Sequence, residues 1–136
     1  MRLALLFSLL LAALPACAPA APTAADLAPL ADALDGEDYA DTFLDELETR
    51  LDAADLDLTR EQHRALRPVL VEGAEAQRAL ILADAGAPSP TFRAESRAIA
   101  EGVDEAALRI LTARQEPVYA QLRAEARALL LQQIGR

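Results

Sequence analysis

Tryptophan and lysine are missing from this chain, and cysteine, histidine and methionine occur once each. Each shortage excludes something. A single cysteine, Cys17, rules out an intrachain disulfide, so the fold rests on noncovalent contacts. One histidine, His63, and one methionine, Met1, leave almost none of the imidazole and sulfur ligands that zinc, nickel and cobalt prefer. No metal site and no cofactor is therefore expected of one chain, and only a dimer pairing two His63 side chains with carboxylates would offer a weak shared site. Beyond the N-terminal run the serines are Ser89 and Ser96. With His63 expected in an exposed first helical turn, no nucleophile meets a positioned base, and no enzyme is expected. The five glycines stand singly, so no phosphate-cradling loop forms. Two tyrosines and three phenylalanines are too few for a thick globular core. β-branched and aromatic residues never alternate over a useful stretch, which disfavours strands. Thin helical layers of Ala, Leu, Val and Ile remain, and the expectation is all-α.

Charge is distributed unevenly. Residues 26–57 hold twelve acids against one base, Arg50, whereas residues 58–136 hold ten acids against eleven arginines. The formal net charge of −9 thus belongs almost wholly to the N-terminal third. A nucleic-acid partner would need a basic domain, and none is present.

Met1-Arg2 followed by the apolar run Leu3 to Leu14, broken only by Ser8, has the form of a secretory signal and is too short to span a bilayer. Leu14-Pro15-Ala16-Cys17 reads as a lipobox, with residues 1–16 removed and Cys17 lipidated as the first mature residue. Ordinary cleavage after Ala18 or Ala20 is the alternative, because Ala16-Cys17-Ala18 and Ala18-Pro19-Ala20 are both small-x-small. The expected address is the periplasm. The anchor would sit in the outer membrane, since Ala and not Asp follows Cys17. Residues 17–40 read as an acidic Ala/Pro-rich tether and residues 41–136 as one helical domain.

Within that domain, Asp41 to Ala53 presents Phe43, Leu44, Leu47 and Leu51 on one helical face. A helix from Arg60 to Ala83 follows. A turn at Gly86-Ala87-Pro88-Ser89-Pro90 comes next, then a helix from Thr91 to Ile110 and another from Ala113 to Ile134. Pro68 and Pro117 lie inside these spans and should bend them. The result is a bent antiparallel hairpin with a short helix at each end. Leu66, Val69, Leu70, Gly73, Gln77, Leu80 and Ile81 of the first long helix should pack on Phe92, Ser96, Ile99, Val103, Ala106 and Ile110 of the next. Such narrow, Ala-diluted stripes give a monomer little margin, and a homodimer is expected.

The opposite stripe alternates arginines with single apolar side chains: Arg60, Arg64, Arg67, Val71, Arg78 and Leu82. The third helix adds Arg93, Arg97, Asp104 and Leu108, and the last adds Arg123, Arg127, Leu131 and Ile134. Either these apolar residues are scattered surface positions, which need no explanation, or the stripe forms a surface that attracts acidic segments and touches exposed hydrophobic groups.

Leu58-Thr59-Arg60-Glu61-Gln62 returns as Leu111-Thr112-Ala113-Arg114-Gln115, so Leu-Thr-x-x-Gln occurs twice. Each copy has the form of a capping box: a Thr hydroxyl accepts from the Gln N–H, and the Gln side chain returns to the Thr N–H. The doubled motif, behind an export signal in a small Ala-rich chain, resembles the Spy/CpxP family over residues 41–134. That resemblance implies a cradle-shaped homodimer acting as an ATP-independent chaperone in envelope stress. It would bind unfolded or misfolded envelope proteins on a basic, partly apolar face, here Arg60, Arg64, Arg67, Val71, Arg78, Leu82, Arg93, Arg97, Leu108, Arg123 and Arg127. Relatives of the family include periplasmic heavy-metal sensors, which gives one alternative, and a structural helical lipoprotein gives another.

Overall fold

A computed structural model describes residues 31, 32, 34–84 and 90–134, the last with backbone only at residues 130, 131, 133 and 134. The expected signal peptide, Cys17, most of the expected tether, the 86–89 turn residues and the side chains of Leu131 and Ile134 lie outside what is described. The described chain is all-α, with helices α1 (Gly36–Ala53), α2 (Arg60–Ala83), α3 (Pro90–Leu108) and α4 (Glu116–Ile134).

Helix α1 is longer and more central than a flanking helix. Asp35 caps it, its side chain accepting from the Asp38 N–H. The tether expected over 17–40 therefore does not extend through its last residues. Ala31 and Leu34 are already buried, Leu34 against Ile81 at the far end of α2 and Phe92 at the start of α3. Helix α1 ends in a Schellman turn: the Leu56 N–H bonds the Leu51 carbonyl and the Asp55 N–H the Asp52 carbonyl. Asp55 takes the left-handed position (φ 55°) that glycine usually fills.

Ala40, Phe43, Leu44, Leu47 and Leu51 of α1 are wholly buried, against Leu66 and Leu70 of α2, Val103 and Ala107 of α3, and Leu111, Tyr119 and Leu122. Burying each large apolar side chain contributes about 1.5–3 kcal/mol, so α1 is the keystone of the core. Phe43 stacks near Tyr39 at 6.0 Å and meets Tyr119 edge-on at 5.9 Å.

Helices α2 and α3 form the expected antiparallel hairpin, and most of the expected core stripe is buried or half-buried between them. Gly73 lets the two approach closely, since a Cβ there would stand 2.3 Å from Val103 Cγ2. Buried Gln77 forms a polar rung: its Nε2 donates to the Ser96 carbonyl (2.8 Å) and its Oε1 accepts from Ser96 Oγ (3.0 Å).

The boundaries at the α3–α4 turn also differ from the sequence reading. Helix α3 ends at Leu108 and not at Ile110, and α4 starts at Glu116 and not at Ala113. Pro117 is thus the second residue of α4, in the first turn, where a missing N–H breaks no helical bond; it bends nothing. Pro68 does lie inside α2.

Candidate functional site

The two Leu-Thr-x-x-Gln segments meet. Thr59 caps α2 with both bonds of a capping box, its hydroxyl accepting from the Gln62 N–H and its own N–H donating to Gln62 Oε1, each at 3.1 Å. The second copy is only half a box. The Thr112 N–H donates to Gln115 Oε1 (2.9 Å), but the Gln115 N–H goes to the Thr112 carbonyl and not to its hydroxyl. This tight turn delays α4 to Glu116.

While each Oε1 accepts from its own threonine's N–H, the two amides also face each other. Gln62 Nε2 donates to Gln115 Oε1 (2.8 Å) and Gln115 Nε2 to Gln62 Oε1 (3.1 Å). Each Nε2 also reaches the carbonyl two residues before the other motif's threonine: Ile110 from Gln62 (3.2 Å) and Asp57 from Gln115 (2.6 Å). Both donors and both acceptor lone pairs of each amide are used, as a buried amide requires. The leucines serve the core, Leu111 buried and Leu58 half-buried against it. Leu58, Thr59, Gln62, Leu111, Thr112 and Gln115 thus form one pseudo-twofold joint that ties the start of α2 to the α3–α4 turn.

The Arg/apolar residues do not form one continuous face. Helix α1 lies beside the stripe on α2. Arg67 is engaged there, its Nε and Nη2 on the Asp41 carboxylate at 2.8 and 3.2 Å, with Glu37 at 3.8 Å. The Arg67 bond holds the Asp41 carboxyl below its usual range, and Asp41 in turn raises the Arg67 guanidinium. Val71, expected on the open face, is half-buried and packs against the core because α1 covers it. Arg78 pairs with Glu75 at 3.8 Å, and its Nε is buried without a hydrogen-bond partner. Glu75 also accepts from the Gly36 N–H at 2.8 Å, at the start of α1.

Arg123 leaves the stripe altogether. Its side chain is 15% exposed and donates to Asp104 Oδ1 at 2.7 Å and to the Tyr39 hydroxyl at 3.3 Å. Asp104 also accepts from the Tyr119 hydroxyl (3.0 Å) and from Arg127 (3.1 Å). Burial pushes the Tyr119 phenol well above its ordinary range. These arginines hold α4 against α3 and α1; the helical pattern assigned Arg123 to an outer face because the pattern does not show where a neighbouring helix lies. Arg93, Arg97 and Leu82 are exposed, and Leu108 is 39% exposed.

Arg60, Arg64, Arg67 and Val71 do come together, in a groove of about 670 Å³. Leu58, Pro68 and Val71 supply apolar surface. Arg60, His63, Arg64 and Arg67 supply cationic and imidazole groups, and Glu48 and Glu72 complete the lining. Arg60 and Arg64 are exposed and have no ion-pair partner among the described residues. His63 is half-buried in this wall, not on open surface. The sequence reading missed Glu48, His63, Pro68 and Glu72 as lining residues. A signal was available: the carboxylates Glu37, Asp41 and Glu48 recur on one face of α1, opposite in sign to the α2 arginines. Leu82, Arg93, Arg97 and Leu108 do not line the groove.

Among the described residues no three His, Cys, Asp or Glu side chains converge on a metal-sized site, and no helix is long and apolar enough to cross a membrane. Comparison with family models, with curated proteins and with solved structures gave no match.

Proposed function

We propose that this chain is an ATP-independent chaperone-like protein of the cell envelope, similar to the Spy/CpxP family, and that it holds extended segments of unfolded proteins in the α1–α2 groove. One observation carries the reading: the groove sets the free guanidiniums of Arg60 and Arg64 beside apolar Leu58 and Val71. A folded protein rarely offers an acidic side chain and bare apolar groups within one short stretch, whereas an unfolding one does. Arginine suits the task, because its fork takes a carboxylate bidentately and its charge persists at any physiological pH. The doubled motif and the signal-like N-terminus support an exported, lipid-tethered protein of this kind, with Cys17 as the attachment point.

The test is aggregation of a chemically denatured client with purified protein and no nucleotide. Wild type should suppress aggregation. Arg60→Glu with Arg64→Glu should lose most of that protection while the melting temperature holds, since both side chains are exposed. Equal protection by the variant would make the groove ordinary solvated surface and favour a structural helical lipoprotein. Labelling with a palmitate analogue, abolished by Cys17→Ser, checks the tether.

A further inference from the structure

One carboxylate already sits on the guanidiniums of the groove, and it belongs to this chain. Asp41 of α1 takes Arg67 by the fork: Arg67 Nε donates to Asp41 Oδ1 at 2.8 Å and Nη2 to Oδ2 at 3.2 Å. Arg67 is one of a row. At about 100° and 1.5 Å per residue, Arg60, Arg64 and Arg67 lie within about 60° of one another around α2. All three line the groove, but α1 fills only the place at Arg67. Arg60 and Arg64 are exposed and have no ion-pair partner among the described residues. The row therefore offers places for carboxylates of which one is taken from within, while those at Arg60 and Arg64 stay open.

The open places have a definite spacing. From Arg60 to Arg64 the helix rises about 6 Å. In an extended chain, side chains two residues apart point the same way and stand about 6.6 Å apart. Neighbouring side chains point to opposite faces, so two adjacent acids cannot both face the row. Beyond Arg64 the groove turns apolar at Pro68 and Val71, about 6 and 10 Å further along the helix. Glu48 and Glu72 also line it, and they disfavour a segment that is acidic throughout. We infer that the groove selects extended segments of the pattern acid-x-acid-x-apolar, and that Asp41 holds the number of acids at two by occupying Arg67. The inference rests on the proposed function and names which stretches of an unfolding chain are held. The net charge of −9 opposes any acid at long range. At about 0.15 M salt, where the screening length is about 8 Å, that repulsion fades while the contacts in the groove survive.

Fluorescence anisotropy of short labelled peptides with the purified protein at that salt tests the inference. The peptides are serine and threonine throughout, apart from glutamates and one leucine. The first sets two glutamates two places apart, with the leucine two places further on. Its control has the same composition with the glutamates side by side. A third peptide carries three alternating glutamates before the leucine. Wild type should bind the alternating pair about two- to fivefold more tightly than the adjacent pair, the worth of one exposed ion pair. Arg60→Gln and Arg64→Gln should each erase that preference. Asp41→Asn frees Arg67, so it should raise affinity for the three-acid peptide by about two- to fivefold and leave the two-acid peptide nearly unchanged. In an Arg67→Gln background the same substitution should gain nothing. Circular dichroism melts verify the folding of every variant. Equal affinity of wild type for alternating and adjacent glutamates would overturn the inference. So would a failure to bind either peptide, or no gain from Asp41→Asn. Aggregation suppression is read separately. Protection that persists without the alternating preference would leave the proposed function standing and remove this rule. The preference without any protection would refute the proposed function and leave the peptide site.

Discussion

Truncating Gln115 to alanine should be among the most damaging polar substitutions in the molecule. The residue is 3% exposed, and its amide makes four hydrogen bonds. Its removal leaves the Thr112 N–H and the Asp57 carbonyl without these partners, while each end of Gln62 retains one bond, to Thr59 and to Ile110. An orphaned buried polar group costs about 1–3 kcal/mol. Thr112 and Asp57 both belong to exposed residues, so water recovers part of this. A total of about 2–3 kcal/mol follows from that range. Gln62→Ala should cost a similar amount, as it orphans the Thr59 N–H and the Ile110 carbonyl. The double variant should cost less than the sum, by about 0.5–2 kcal/mol, because the two mutual bonds are lost only once. Gln115→Glu gives a sharper test at nearly constant size. A carboxylate still accepts from Thr112 but turns a second oxygen toward the Asp57 carbonyl and Gln62 Oε1, where the amide donated. Protonation restores one donor, so this variant alone should recover stability as pH falls through the carboxylate range. Urea denaturation of the four variants at pH 7 and pH 4 supplies the numbers. Strict additivity of the two alanine substitutions, or a Gln115→Ala cost below about 0.5 kcal/mol, the size of an ordinary surface change, would refute a coupled amide pair.

Gly73→Ala should destabilise by about 1–3 kcal/mol through collision with Val103, whereas Gly102→Ala, which meets nothing within 4 Å, should stabilise by about 0.5–1 kcal/mol; thermal melts of both decide it. Asp104→Ala should cost about 2–4 kcal/mol by leaving Arg123 and the Tyr119 hydroxyl unpaired, and Arg97→Ala, on an exposed position of the same helix, should cost little; equal effects would deny Asp104 its role as the α3–α4 link. Tyr119 has its pKa raised by burial, so the neutral phenol is the form the fold favours. Its contribution is complete below the unfolded value of about 10 and is lost as pH rises above it. Denaturant midpoints should therefore fall between pH 9 and pH 11 in wild type and fall less in Tyr119→Phe, and identical slopes would count against this assignment.

Helical periodicity sufficed to place α2 and α3, because a two-sided helix in a hairpin shows its buried stripe plainly. It undervalued α1. Phe43, Leu44, Leu47 and Leu51 marked a face but not its neighbour, and a helix that touches α2, α3 and α4 at once reads no differently from one on the rim. The same blindness moved Arg123 to the surface and left Val71 open: a side chain's angle on its own helix does not say whether another helix crosses there. The motif was legible as two separate helix starts. That Gln62 and Gln115 meet was not, since a capping box is a local pattern and their pairing depends on how the hairpin closes. Charge asymmetry was visible throughout, yet its consequence depends on α1 lying against α2, which brings Asp41 to Arg67 and Glu48 to the groove.

The paired amides also do the work of a crosslink. They join residues 53 positions apart in a chain whose single cysteine forbids a covalent staple. Closing a loop of that length costs about 3.5 kcal/mol of chain entropy beyond a constant, a cost that packing of α2 on α3 reduces, so closure of the clasp is expected to follow that packing and its opening to release both amides together. The amide hydrogens of Thr59 and Thr112, far apart in sequence, should exchange with solvent at one common rate. A disulfide in the same place would depend on the redox poise of its surroundings, whereas this fastening is indifferent to oxidant and reductant and reseals by itself.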